Sequence, residues 1–431
     1  MKNTLVNFVI FFILVSCAKE NVEEVVSSGF PVLSYNSEIS ETLTLDKNNI
    51  KIDPPREVNY WSQHFQNPQN DLNNIYTVSS LDKGSKIMPG KRGALNVIQP
   101  IYFENNVCHL LSNGYLECLN LEKNELFLSI NLTKEEKKKY ELIRGGLAYF
   151  DNKIVFVDAY GQVKLIDLLD QSVNWTKNID IPILSPPLIY RDYIYFVTAD
   201  NRIYALNILD GSVEWSFQTI AEAKKNLFTA SLVAKENFVI APFSNGELIA
   251  FIYDTGRPIW SENLSKISVL SNFDIKDISA SPVISGNSLY ALSSNGKLVS
   301  LNAINGQRNW AIDLSGYRTP TVSGNVLYVI DDNGKLICID QESGEIYWIT
   351  NLEKFRKGQK VQNLNLWLGP YMINNLLYSF SYFGEVKVVS PLSGEVLSTN
   401  SLKIENIIIP PLILSNSVII ADEKSNVYRY N

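Results

Sequence analysis

A chain of 431 residues that is 45% hydrophobic and 19% charged can bury a large core and is not disordered as a whole. Its formal net charge of −7 excludes nucleic acid as a main partner, because phosphate binding needs a basic surface. Two histidines, His64 and His109, leave little for imidazole metal ligation or histidine-based catalysis, and 11% aromatic content with frequent Asn-Gly and Asp-Gly pairs leans toward β structure.

The chain opens with one lysine, then eight uninterrupted apolar residues, FVIFFILV (8–15). That run is too short to span a bilayer as a helix and has the length of a signal-peptide core. It leads into Leu14-Val15-Ser16-Cys17, which resembles the bacterial lipobox. The resemblance implies a diacylglycerol on Cys17 and, with Ala18 next, delivery to the outer membrane on its periplasmic face. The competing reading is an ordinary secretory signal with an incidental cysteine. Residues 18 to 55 show no sustained period and read as a tether. The expected division is a lipoprotein signal peptide over 1–16, a lipidated linker over 17–56 and one folded domain over 57–431.

Within that domain a phrase recurs. Counted from a first-turn glycine, a second turn falls ten residues on and a tryptophan fourteen on. Gly246, Gly256 and Trp260 form one set; Gly296, Gly306 and Trp310 another; Gly334, Gly344 and Trp348 a third. Asn201 leads to Gly211 and Trp215, and Gly161 to Gln171 and Trp175. Weaker copies run from Gly114 to Leu128 and from Gly384 to Ser398. A fixed core joined by gaps of 24 to 36 residues is a modular array.

Each copy has an upstream half, as in SPVISGNSLYALSSNG (281–296) and TPTVSGNVLYVIDDNG (319–334). The unit is four antiparallel strands, which is the blade of a β-propeller. Near-continuous apolar strands such as YIYFV suit blades covered on both faces. The eighth copy stops at Asn431 after three strands, while VNYW (58–61) resembles VEW (213–215) with no inner strands before it. The expectation is therefore an all-β, eight-bladed propeller, closed by pairing of an N-terminal strand, that of Trp61, with the last blade.

The motif in ALNILDGSVEW (205–215) resembles the repeat of the pyrroloquinoline-quinone (PQQ) enzymes. That resemblance implies that Trp61, Trp175, Trp215, Trp260, Trp310 and Trp348 dock on neighbouring blades. Over residues 57–431, with a lipobox in front and the opening YWSQHFQNPQN (60–70), the chain resembles the BamB family, lipoprotein subunits of the outer-membrane β-barrel assembly machine. The resemblance implies a non-enzymatic scaffold without cofactor, metal or catalytic residues. It would bind the periplasmic domains of the barrel-assembly protein, and its blade edges are open to strand pairing with unfolded outer-membrane proteins.

The alternative is a quinoprotein-like propeller with a small molecule or PQQ in its central channel. Such enzymes set Ca²⁺ against the quinone through carboxylate and amide oxygens, often beneath a vicinal Cys-Cys ring. Here Cys17, Cys108, Cys118 and Cys338 are all separated and the acidic residues are scattered through turns. In CHLLSNGYLEC (108–118) a three-residue loop would set Cys108 opposite Cys118. A disulfide there competes with free thiols, since a one-residue slip puts them on opposite faces. Cys338 reads as a small buried hydrophobe.

A scaffold works through its loops. The long outer-to-inner connections are 217–230, 261–280 and 349–367; the first two carry Leu227, Phe228, Leu270, Phe273 and Ile275 beside charges. Apolar anchors on a rigid frame suit protein binding, and the competing reading tucks them back onto the blades. The family's Asp-x-Asp-x-x-Pro loop corresponds to DISASP (277–282), with Asp277 and Pro282 kept and Ser279 at the second acidic position. Its Leu-x-Leu-Arg-Gly loop corresponds to KNLFTAS (225–231), without the arginine. The family contact therefore implies Asp277, Leu227 and Phe228 as partner-binding residues, with Leu270 and Phe273 alongside.

Overall fold

Apolar residues at successive strand positions need cover on both faces. All five residues of Val326–Ile330 and the last four of Tyr193–Val197 are buried. The computed structural model describes residues 39–91, 95–132, 142–221, 230–265, 277–294, 296–356 and 363–431. It forms eight antiparallel blades of four strands. Blades 1 to 7 span residues 101–131, 145–178, 188–218, 233–263, 283–312, 321–351 and 367–401; blade 8 combines 412–430 with 84–88. The all-β eight-bladed propeller expected from the repeats is the fold.

The fourteen-residue count of the repeat sets each tryptophan of the outer strand opposite the residue four past the first turn on the third strand. Leu165 lies opposite Trp175, Ala205 opposite Trp215, Ala250 opposite Trp260, Ser300 opposite Trp310 and Cys338 opposite Trp348. A bulge follows each of these pairs and re-aims the outer strand. Each of these tryptophans then meets the second-turn glycine of the next blade. A Cβ on Gly211, Gly256, Gly306, Gly344 or Gly394 would come within 2.4 to 2.8 Å of the ring of Trp175, Trp215, Trp260, Trp310 or Trp348 respectively. The indole N–H donates to a main-chain carbonyl of that same blade, from Trp175 to Ile208 at 3.3 Å through Trp348 to Pro391 at 3.0 Å. Five blade joints are fastened this way, each by one ring, one bare turn and one hydrogen bond.

An N-terminal strand closes the ring, but not the one carrying Trp61. Gly84–Met88 pairs antiparallel with Val427–Tyr430, and Gly84 lies under the Tyr430 ring. Trp61 instead forms an isolated bridge to Tyr102 on the inner strand of blade 1, its indole N–H donating to Gln99 Oε1 at 3.4 Å. The likeness of VNYW to VNW is a local one. The amide-rich residues after Trp61 bond the exposed edges of other strands and do not continue a strand of their own.

Those residues make a strap that laps the whole ring. Val58 N–H donates to Ser415 Oγ on blade 8 at 2.7 Å. Ser62 O accepts from Tyr149 N on blade 2, and Gln63 Oε1 from Ile189 N on blade 3. Pro68 O accepts from Ala234 N on blade 4 and Gln69 O from Ile284 N on blade 5. Asn73 Oδ1 accepts from Ser323 Oγ on blade 6, Asn74 and Ile75 pair with Met372 and Ile373 on blade 7, and Val78 returns to Ser415. The inner strands end at this mouth of the channel, so the strap covers the backbone groups that a propeller leaves open there.

Residues 39–56, expected as part of the tether, are also fastened. Thr42 N–H donates to Ile346 O, Glu41 Oε1 accepts from Ile349 N, and Lys51 N–H donates to Asn325 Oδ1, all on blade 6. Cys108 and Cys118 stand opposite each other and form a disulfide. Cys338 is a buried free thiol whose pKa burial pushes up.

Candidate functional site

Two regions hold the candidate residues: the connections on the face away from the strap, and the channel. Cys17, Leu227, Phe228, Leu270 and Phe273 lie outside the described residues, as does Ile275. The segments that carry the loop residues join described strands. The first runs between Gln218 and Val233, the second between Asn263 and Val283. At these ends Gln218 pairs with Arg202 and Asn263 with Glu247, next to the hairpin turns of their blades.

Asp277 is described, and it is 4% exposed. Its carbonyl accepts from Ser294 N at 3.1 Å and Oγ at 2.8 Å. Its carboxylate acts electrostatically on Arg144 across the channel wall. The rest of DISASP is tied inward: Ser281 Oγ accepts from Ser231 N, and Pro282 O accepts from Asn70 Nδ2 of the strap at 2.9 Å. The motif thus builds the wall of blade 5, and the structure places Asp277 inside that wall and not on the surface as the loop reading implied.

The channel holds a cavity. Its floor is the strap, through His64, Phe65, Asn70 and Leu72; its walls are the beginnings of the inner strands, with Arg144 to Leu147 from blade 2, Tyr317 to Thr321 from blade 6 and Leu368 to Tyr371 from blade 7. About 80 Å³ is open to the centres of water-sized molecules, room for several waters or one small molecule. Among the described lining residues the charged side chains are Arg144 and Arg318, and no carboxylate lines the space.

Burial lowers the pKa of both arginines. Asp277 opposes that for Arg144; Tyr317, Tyr371 and Asp332 oppose it for Arg318. A guanidinium keeps its charge inside a protein all the same. Arg318 also lies 4.5 Å from the centre of the Tyr317 ring. Burial holds His64 down to about 4, so its imidazole is neutral near pH 7. Tyr371 is raised by burial and stays a phenol.

Sequence reasoning missed both arginines and the strap. The repeats align on turns and tryptophans, whereas RGG (144–146) and YRTP (317–320) lie at the inner-strand starts, upstream of the counted core. The signal for the strap is the run of amides in QHFQNPQNDLNN (63–74), side chains able to bridge backbone edges.

The model of the family described as "Outer membrane protein assembly factor BamB" matches residues 112–350, more than half of the chain. An uncharacterized protein of Rickettsia prowazekii is 24% identical over 251 residues, 54% of this chain and 59% of that protein. The chain thus spans little more than half the length of that relative. The crystal structure of BamB from Moraxella catarrhalis superposes with a TM-score of 0.68 at 16% identity, covering 82% of this chain and all of that one. A europium-containing methanol dehydrogenase superposes with a TM-score of 0.67 at 13% identity, covering 84% and 90%. At these identities the structural likenesses show the fold alone.

The europium of that dehydrogenase poses a fit test. A hard cation is held by carboxylate and carbonyl oxygens. Among the described residues the cavity offers two guanidiniums, no lining carboxylate, and no group of three or more His, Cys, Asp or Glu able to hold an ion. These residues do not fit a quinone–metal centre. The repeat, the eight-bladed ring and the match over residues 112–350 place this chain in the family of the outer membrane protein assembly factor BamB.

Proposed function

We propose that this chain is a non-enzymatic scaffold lipoprotein of the machinery that assembles β-barrel proteins in the outer membrane. In this reading a lipid on Cys17 holds it at the periplasmic face. Segments 222–229 and 266–276, with Leu227, Phe228, Leu270 and Phe273, contact the periplasmic domains of the barrel-assembly protein. The family match over residues 112–350 carries the reading. The rigid ring supports it, since binding loops work best on a frame that does not move. The outer strand Val396–Ser401 of blade 7, exposed along its length, offers an edge for strand pairing with an unfolded client.

The proposal is tested with tagged full-length protein, by mild cross-linking in cells, outer-membrane isolation and mass spectrometry of the co-purified chains. The barrel-assembly protein should be recovered with the wild type and lost with Phe228→Glu. Folded, abundant bait that recovers no barrel-assembly component would overturn the scaffold reading.

A further inference from the structure

A strand at the margin of a sheet presents unpaired backbone groups, and proteins guard such margins with charge, proline or cover. The outer strands of blades 1 to 5 and of blade 8 each carry a charged residue, among them Lys177, Glu214, Glu262 and Arg308. That of blade 6 carries none and is covered instead by Thr42, which donates to Ile346 O. The outer strand of blade 7, Val396–Ser401, has neither charge nor proline and is exposed at all six positions. Among the described residues it pairs only with the third strand of its own blade. We propose that this edge pairs antiparallel with the same edge of a second copy of the chain. The inference goes beyond the scaffold reading, and in it a second copy and a client strand compete for one edge.

The sequence of the edge fits itself. Glu395 stands just before the strand and Lys403 shortly after it, and both are exposed. Antiparallel pairing sets start against end, so each glutamate meets the lysine of the other copy; parallel pairing would bring like charges together. Leu402 N–H donates inward to Gly384 O. Backbone direction alternates along a strand, so beyond the bulge the N–H and C=O of Thr399 and Ser401 point outward. A two-fold axis at Thr399 then bonds this residue to its counterpart and sets Leu397 opposite Ser401. Six residues a side make a small contact, so the dimer belongs to the weak class that buries less than about 1,200 Å².

Cysteine cross-linking of the full chain in cells tests this. The Cα atoms of a hydrogen-bonded antiparallel pair lie about 5.5 Å apart, within disulfide reach. Cys108 and Cys118 are bonded to each other and Cys338 is buried, and the wild type measures the background from native thiols. On mild oxidation Thr399→Cys should give a covalent dimer of twice the chain mass. Ser216→Cys, exposed on the charge-guarded edge of blade 3, should not. Glu395→Lys in the Thr399→Cys chain should lower the dimer yield at least about fivefold, because two attractive ends become repulsive. Adding Lys403→Glu should restore it. No dimer from folded Thr399→Cys chain, equal dimer from Ser216→Cys, or no rescue by the charge swap overturns the proposal. Adducts of other masses in place of the dimer would give the edge to client strands and overturn it likewise. If Thr399→Cys fails to fold, Leu397→Cys with Ser401→Cys in one chain reads the same register, with the same outcomes.

Discussion

Trp215 of blade 3 and Gly256 of blade 4 are in such close contact that a Cβ on the glycine would reach within 2.4 Å of the indole. Gly256 also has φ +66°, a backbone state L side chains rarely adopt. Steric exclusion and backbone strain coincide at one atom. Gly256→Ala should cost about 2–4 kcal/mol, whereas Gly286→Ala, at φ +56° with open space around it, should cost about 1 kcal/mol. Urea unfolding of the two variants measures the difference, and equal losses would contradict the docking account.

The same kind of joint separates packing from hydrogen bonding at Trp348. Its ring is 1% exposed and its indole N–H donates to Pro391 O at 3.0 Å. Trp348→Phe should cost about 1–3 kcal/mol, the vacated carbonyl included, and Trp348→Ala about 3–5 kcal/mol. Denaturant midpoints of the pair check the order.

The strap is expected to hold the channel mouth together. Asn70 donates to Leu232 O at 3.4 Å and Pro282 O at 2.9 Å and accepts from Ser231 Oγ, tying blades 4 and 5 to the floor. Asn70→Leu strands these buried groups and should destabilise by about 1–3 kcal/mol. It should also speed amide exchange at Ser231 and Ile284. Unchanged exchange there would show that the lap is decoration.

His109 gives the stability a pH dependence of known sign. It is fully buried, neither ring nitrogen has a hydrogen-bond partner, and burial lowers its pKa to about 3 from 6.5. The folded state therefore refuses a proton that the unfolded chain accepts. The contribution is complete above pH 6.5 and is lost as pH falls from 6.5 toward 3. At pH 5 the loss is about 2 kcal/mol. His109→Leu should remove that part, and urea midpoints at pH 5 and pH 8 should differ less in the variant than in the wild type. An identical difference in both would contradict the assignment.

The blades were legible because their marks are local. A tryptophan fourteen residues after a turn reflects a strand register with a bulge, and a turn glycine under an indole has few substitutes. The illegible parts depend on contacts across hundreds of residues. The strap joins residues 58 to 78 to strands as distant as Ser415, and no period announces such pairing. Trp61 shares its short context with the outer-strand tryptophans yet makes a backbone bridge to Tyr102, because the residues after it are amides and not a strand. Asp277 entered as a partner contact through the family's loop pattern, which says nothing of burial, and in the structure it is buried together with Ser279 and Ser281. Arg144 and Arg318 come to line one cavity only once the ring is closed.

The most direct test of the scaffold reading places a photo-cross-linker at single positions of the full-length chain in cells. Positions 228 and 273 lie in the segments assigned to the partner. Position 169, where Leu169 is 75% exposed at a turn on the strap side, is the control. The account predicts that 228 and 273 capture the periplasmic domains of the barrel-assembly protein and that 169 does not. Capture from 169 alone, or from none of the three while the protein is folded in the outer membrane, would contradict it.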